Sequence, residues 1–344
     1  MKPTIKGVIL IAMLFALLSC SVNQPDIAAT QTPVPTRQIQ PTVNPTQTEE
    51  LKPLICIIVP NVDNPYFGSM QEIAARKAEE LGYTVLKLVH EDDAMRQSEQ
   101  FDTCIVQHAV AIILINAVAD ASIVSIQKAK EAGIPSFLIE REISMEGVAV
   151  SQIVPNQYQG ATLLAEEFAR LMGEEGEYIE LTGMDTDPNA HVRSDGFHTV
   201  LDARPEMKMV AQHVFGWTAD EFSPLESLLP EHPNVRGVIC ENDDRGASLV
   251  AQTTLNAAGR SDVIVAGFGG SDNETSSILD GEIDAGILPP VAEMATMAVI
   301  QADRYLRTGS TGLLEKQSID MILLTPENAC QYTAFAPNGK TSCP

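Results

Sequence analysis

Apolar runs in this chain repeatedly stop at residues that hydrogen-bond or stack. "ICIIVP", residues 55–60, is followed by Asn64, Tyr66 and Phe67; "AIILIN" ends at Asn116 and "SFLIER" at Glu140 and Arg141. "VFGW" ends at Trp217, and "GVICEND" at Glu241, Asn242 and Asp243. Carboxylates, amides and guanidinium groups form paired hydrogen bonds with neighbouring hydroxyls, and aromatic faces cover C–H surfaces. Together they fit a small polyhydroxylated ring. The same residues make a poor catalytic set. No GxSxG elbow occurs, and the acid pairs are mostly adjacent on solvated helices or, at Asp243–Asp244, beside the amide of a binding motif. A binding protein is therefore expected rather than an enzyme. No cofactor is expected either, since "GFGG", residues 267–270, has neither dinucleotide spacing nor a P-loop lysine. No metal is expected: the six histidines are scattered, no CxxC occurs, and Asp185 and Asp187 lack the further acids of a calcium loop.

Positioning such residues requires strands. Candidate strands are Leu54–Val59, Thr84–Val89, Ala111–Ile115, Ser136–Ile139 and Val148–Ile153, then Tyr178–Leu181, Met209–Phe215, Val238–Cys240, Val263–Phe268 and Ile283–Leu288. Helical patterns fall between most of them, among them Phe67–Leu81, Ile123–Ala132, Gln157–Met172, Ala247–Ala258 and Val291–Leu306. Strand–helix alternation with right-handed crossovers gives parallel sheets covered by helices on both faces. Two successive sets predict an α/β protein of two similar lobes. Ligands of such sheets bind beyond the carboxyl ends of the strands, where the polar and aromatic residues above fall.

The chain has 344 residues and a formal charge of −24, which argues against nucleic acid as a partner. Lys2 and Lys6 precede the apolar "GVILIAMLFALL", which is short for a membrane span and reads as an export signal, residues 1–19. It ends in "LLSC", which resembles the lipobox of bacterial lipoproteins and makes Cys20 the expected lipidated residue. Residues 21–50, rich in Pro, Thr and Gln, read as a flexible stalk. The protein is expected outside the cytoplasm, in the periplasm or on the outer face of the cell membrane, touching the membrane only through its lipid. Cys56, Cys104 and Cys240 sit in apolar surroundings and are expected as core residues. Cys330 and Cys343 flank a Pro/Asn/Gly-rich tail and can close a disulfide in an oxidising compartment.

"NPYF", "ILIN", "IPSFLIER", "VRSDGF", "EHPNVRGVICEND" and "SDVIVAGFGG" occur in the order seen in periplasmic sugar-binding proteins of the ribose-binding type. The chain resembles that family over roughly residues 52–325; the fold is also similar to the effector domains of LacI-type repressors. The resemblance implies two lobes joined by a three-segment hinge: 52–154 plus 290–316, and 155–289 plus 317–330, followed by a tail, 331–344. It implies a monomer that captures a sugar or polyol for an ABC permease. A ligand-sensing module for a chemoreceptor or histidine kinase is the alternative. Carried over residue by residue, Tyr66 and Phe67 stack on the sugar; Asn64, Asn116, Glu140, Arg141 and Asn156 bond it; Arg193, Trp217 and Asn242 meet it from the second lobe. Two positions depart from the pattern. Gly269 stands where the family has an aspartate, and Pro289 near where it has a glutamine. A hydroxyl that needed those acceptors would be left unsatisfied. That points to a deoxy, bulkier or differently substituted sugar, or a related polyol, rather than ribose. Asp272 is placed either to compensate or to cap a helix.

Overall fold

Each half of the chain is built on strands that are apolar on both faces, because helices cover both sides of a parallel sheet. The computed structural model describes residues 52–183, 188–215, 225–241, 246–333, 335–340 and 343. The first half runs β1 (Leu54–Val59), α1 (Pro65–Glu80), β2 (Thr84–Val89), α2 (Ala94–Val106), β3 (Ala111–Leu114), α3 (Ser122–Glu131), β4 (Ser136–Ile139) and β5 (Ser151–Pro155). The second runs α4 (Gln157–Met172), β6 (Gly176–Thr182), α5 (Pro188–Leu201), β7 (Met207–Val214), α6 (Leu225–Glu231), β8 (Val235–Cys240), α7 (Ala247–Ala257), β9 (Ile264–Phe268), α8 (Asp272–Leu279) and β10 (Ala285–Leu288). Then follow α9 (Val291–Thr308), β11 (Lys316–Ile319) and β12 (Ile322–Leu324).

These strands form two six-stranded sheets, ordered β11-β5-β4-β3-β1-β2 and β12-β10-β9-β8-β6-β7. All pairings within them are parallel except β10 with β12. On β1, Ile55, Ile57 and Val59 pack toward α1 and α9, while Cys56 and Ile58 pack toward α2 and α3. The second sheet repeats this arrangement, with α4 and α5 on one face and α6 and α7 on the other. Each fully buried isoleucine or leucine of these runs contributes about 1.5–3 kcal/mol.

The chain passes between the sheets three times: after β5, after β10 and between β11 and β12. The last passage corrects the expected boundary at 316/317. Lys316–Ile319 pairs with β5 in the first sheet, so the change of sheet falls at Asp320 and Met321. A second correction concerns Cys56 and Cys104. Rather than separate core thiols they form a disulfide, their Cα atoms 6.2 Å apart and both side chains fully buried. Cys56 faces α2 from β1 and Cys104 faces back from α2, within ordinary disulfide reach. Cys240 is buried and lies outside both disulfides. After β12 the chain makes a turn at Ala329–Gln331, then pairs Tyr332–Thr333 with Ala336–Pro337. Cys330 and Cys343 are bonded.

Candidate functional site

Of the residues singled out in the first half, several meet at the carboxyl ends of β1, β3 and β4. Asn64 caps α1, its Oδ1 accepting from the Tyr66 N–H at 2.9 Å, and Pro65 occupies the first helical turn. This cap fixes the entry of α1 so that Tyr66 and Phe67 lie against the strand ends, edge to face at 5.3 Å. The Tyr66 hydroxyl donates to Glu140 Oε2 at 2.9 Å. Glu140 follows β4 with φ +70 and is 9% exposed. A non-glycine residue in that region is uncommon and tends to mark a functional position.

Arg141 ties the group together. Its guanidinium lies 5.4 Å over the Phe67 ring and donates from Nη1 to Asp92 Oδ1 at 2.8 Å and to the Asn116 carbonyl at 3.0 Å. Asn116 Nδ2 returns a bond to the Arg141 carbonyl at 2.7 Å. Asn116 Oδ1 is buried without a hydrogen-bond partner among the described residues, the kind of acceptor that a ligand hydroxyl satisfies. His90 holds Asp92 in place. Its Nδ1 accepts from the Asp92 N–H at 3.1 Å, so Nε2 carries the proton and donates to the Ile115 carbonyl at 2.9 Å. Burial lowers the pKa of this ring, which keeps it in the neutral form those bonds require.

In the second half Arg193 projects from α5 and is 9% exposed. It donates from Nε to Gln157 Oε1 at 2.7 Å and from Nη1 to the Glu241 carbonyl at 2.8 Å, with its guanidinium 4.8 Å over the Phe268 ring. Beneath it lies a buried pair of carboxyls, Glu180 and Glu241, both at most 1% exposed. Burial first, then the Glu180 carboxyl, pushes Glu241 up to about 9, against the opposing Gly183 N–H that donates to Oε2 at 2.9 Å. Glu241 is therefore neutral near pH 7. A cavity of about 140 Å³ opens beside it, lined by residues including Thr182, His191, Ser194 and Gln212. Trp217, Asn242, Asp185, Asp187 and Cys20 lie outside the described residues.

Where the second half lacks an acceptor at Gly269, the space is already taken. A Cβ there would collide with the Glu274 carboxylate, which accepts from the Gly270 N–H. Ser271 caps α8, so Asp272 is the first helical residue, and its Oδ1 accepts from Thr333 Oγ1 at 2.8 Å. Asn156 lies at the first passage. It caps α4 through Oδ1 and donates from Nδ2 to Asp320 Oδ1 at 2.9 Å, joining the first and third passages. Gln159 reinforces that junction by accepting from the Met321 N–H at 2.9 Å. Asp92, Gln157 and Phe335, whose ring stands edge to face on Tyr66, enter the arrangement without standing out in sequence. Gln157 adjoins Asn156 and lies within reach of motif reading; Asp92 and Phe335 reach the site only through tertiary contacts.

Residues 55–311 match the family model described as periplasmic binding protein domain. The chain is 52% identical over 285 residues to a D-apiose import binding protein of Actinobacillus succinogenes, covering 82% of this chain and 91% of that one. It is 48% identical over 292 residues to a D-apiose import binding protein of Paraburkholderia graminis, covering 85% and 93%. Among solved structures, an ABC transporter periplasmic solute binding protein from Actinobacillus succinogenes with bound D-allose superposes with a TM-score of 0.75 at 21% identity, over 82% of this chain and 100% of that chain.

Proposed function

This chain belongs to the periplasmic binding protein domain family, and we propose that it captures a small sugar of the D-apiose kind between its two halves and delivers it to an ABC permease. The observation that carries this reading is the joined set Tyr66, Phe67, Asn116, Glu140 and Arg141 at the strand ends of the first sheet, in a chain 52% identical to a D-apiose import binding protein. Glu140 accepts from hydroxyls on one edge of the sugar, Asn116 bonds another, and the Tyr66–Phe67 pair covers its C–H surface. Arg141 supplies donors and holds Asn116 in register.

Arg193 meets the sugar from the second half, together with Trp217 and Asn242. D-apiose is a branched aldose, and its hydroxyls are placed differently from those of ribose. The replacement of two acceptors by Gly269 and Pro289 accords with such a ring. A ligand that bonds both halves favours the closed arrangement, and the three passages are the hinge on which closure turns. Periplasmic binding proteins of ABC importers work outside the cytoplasm, where two disulfides are stable. We place the folded unit there as a monomer on a stalk, residues 21–50, anchored through lipidated Cys20.

The test is calorimetric titration of the unit Leu51–Pro344 with D-apiose, D-ribose, D-allose and myo-inositol. Saturable one-site binding, tightest for D-apiose, is expected. No saturable heat with any of the four overturns the reading.

A further inference from the structure

The C-terminal tail ends in a clasp that brings an aromatic ring to the candidate site. The Cys330–Cys343 disulfide closes it, and Asn338 fastens it inside by donating from Nδ2 to the Cys330 carbonyl and from its N–H to the Gln331 carbonyl, both at 2.8 Å. Between Tyr332–Thr333 and Ala336–Pro337 the turn carries Phe335 at φ +61 with its ring 4% exposed. A large residue rarely adopts that backbone region, and it persists there only where the surroundings hold it.

Both halves of the molecule do the holding. The Phe335 ring stands edge to face on Tyr66 at 5.6 Å, the same Tyr66 whose hydroxyl bonds Glu140. Its N–H donates to the Gly270 carbonyl at 3.3 Å, and the neighbouring Thr333 bonds Asp272. Gly270 itself has φ +115, and a Cβ there would collide with Leu288 and approach Phe335 Cδ1 to 3.4 Å. Glycine at 270 thus lets the ring lie beside Leu288 at the end of β10 while it stands on Tyr66 of the first half.

We propose that Phe335 is a specificity-determining residue: the disulfide-clasped tail sets its ring as a wall beside Tyr66, and that wall limits the captured sugar to five carbons. The inference rests on the sugar-binding function proposed above. An aromatic wall packs against C–H groups but offers no partner to the hydroxyl of an added hydroxymethyl group. The larger sugar loses both room and a hydrogen bond.

The experiment measures Kd for D-apiose, D-ribose and D-allose, with melting temperature, on the unit Leu51–Pro344, on Phe335→Ala, on the conservative Phe335→Leu, and on the double variant Cys330→Ser/Cys343→Ser. Wild type is expected to prefer the five-carbon sugars to D-allose by about tenfold or more, the scale of discrimination by pocket shape. Phe335→Ala, or release of the clasp, is expected to shrink that preference by about tenfold, with Phe335→Leu in between. An unchanged preference in the variants, with only the melting temperature lowered, shows that Phe335 merely packs the core and overturns the proposal. Should Phe335→Ala fail to fold, the leucine and clasp variants decide by the same ratio. Failure of wild type to bind any sugar contradicts the function itself, and with it the wall; that outcome is separate from sugar binding whose selectivity the variants leave unmoved.

Discussion

Glu140 holds its carboxylate from a left-handed backbone position at the end of β4, where asparagine is among the few other residues at ease. Glu140→Asn therefore separates the backbone from the chemistry. It should keep the melting temperature within a few degrees while weakening sugar binding by about tenfold or more, since a hydrogen bond to a charged group contributes about 1.5–3 kcal/mol. Unchanged affinity would remove Glu140 from the site. Glu241 makes a different prediction. Burial raises its pKa in the folded state to about 9, above its ordinary 4.5, so between those values the native protein binds more protons than the unfolded chain. The stability this group contributes is full below about pH 4.5 and is lost as pH rises through about 9. Glu241→Gln keeps an acceptor for the Gly183 N–H without the titration. Its melting temperature should fall less than that of wild type between pH 6 and about pH 9. Parallel pH profiles would contradict the buried proton. Both acids are visible in sequence as the ends of apolar runs, yet only the structure shows that one bonds Tyr66 and the other backs Arg193 through its carbonyl.

The elements explain why the strand ends are legible. Leu54–Val59, Thr84–Val89 and Ser136–Ile139 have the same limits in sequence and structure, because each is a short apolar or alternating run stopped by a proline, an acid or a histidine. Gln157–Met172 is equally clear, with Asn156 capping it and Gly173 ending it at φ +76. The residue pattern predicts the fifth strand from Val148, but the strand begins at Ser151, since the chain still bends at residues 148–150 and valine is apolar in a bend as in a ladder. The third passage falls later than the pattern predicts because Lys316–Ile319 is half-buried edge strand without an apolar signature. The Cys56–Cys104 bond is hidden in sequence by a separation of 48 positions; only the packing of α2 on β1 brings its ends together. That bond closes a loop long enough for about 4 kcal/mol of chain-entropy stabilisation. Cys56→Ala/Cys104→Ala should lower unfolding stability by about 2–4 kcal/mol in a denaturant titration. No shift in midpoint would show that the staple adds nothing beyond the core around it.

At the scale of the whole molecule, two sheets of matching order are joined by three passages. The repeated strand–helix alternation makes this architecture readable from the residues alone. The passages and the tail are harder, because asparagine caps and a disulfide-clasped aromatic acquire their roles only when distant segments meet, as Asn156 does with Asp320 and Phe335 with Tyr66. Capture between the halves requires both to hold one ligand. The most direct measurement is the D-apiose dissociation constant, by calorimetry, for wild type, Arg141→Ala and Arg193→Ala, one arginine from each half. Each substitution is expected to weaken binding by about tenfold or more while the protein stays folded, as loss of charged hydrogen bonds requires. Wild-type affinity retained in either folded variant would contradict capture between the two halves.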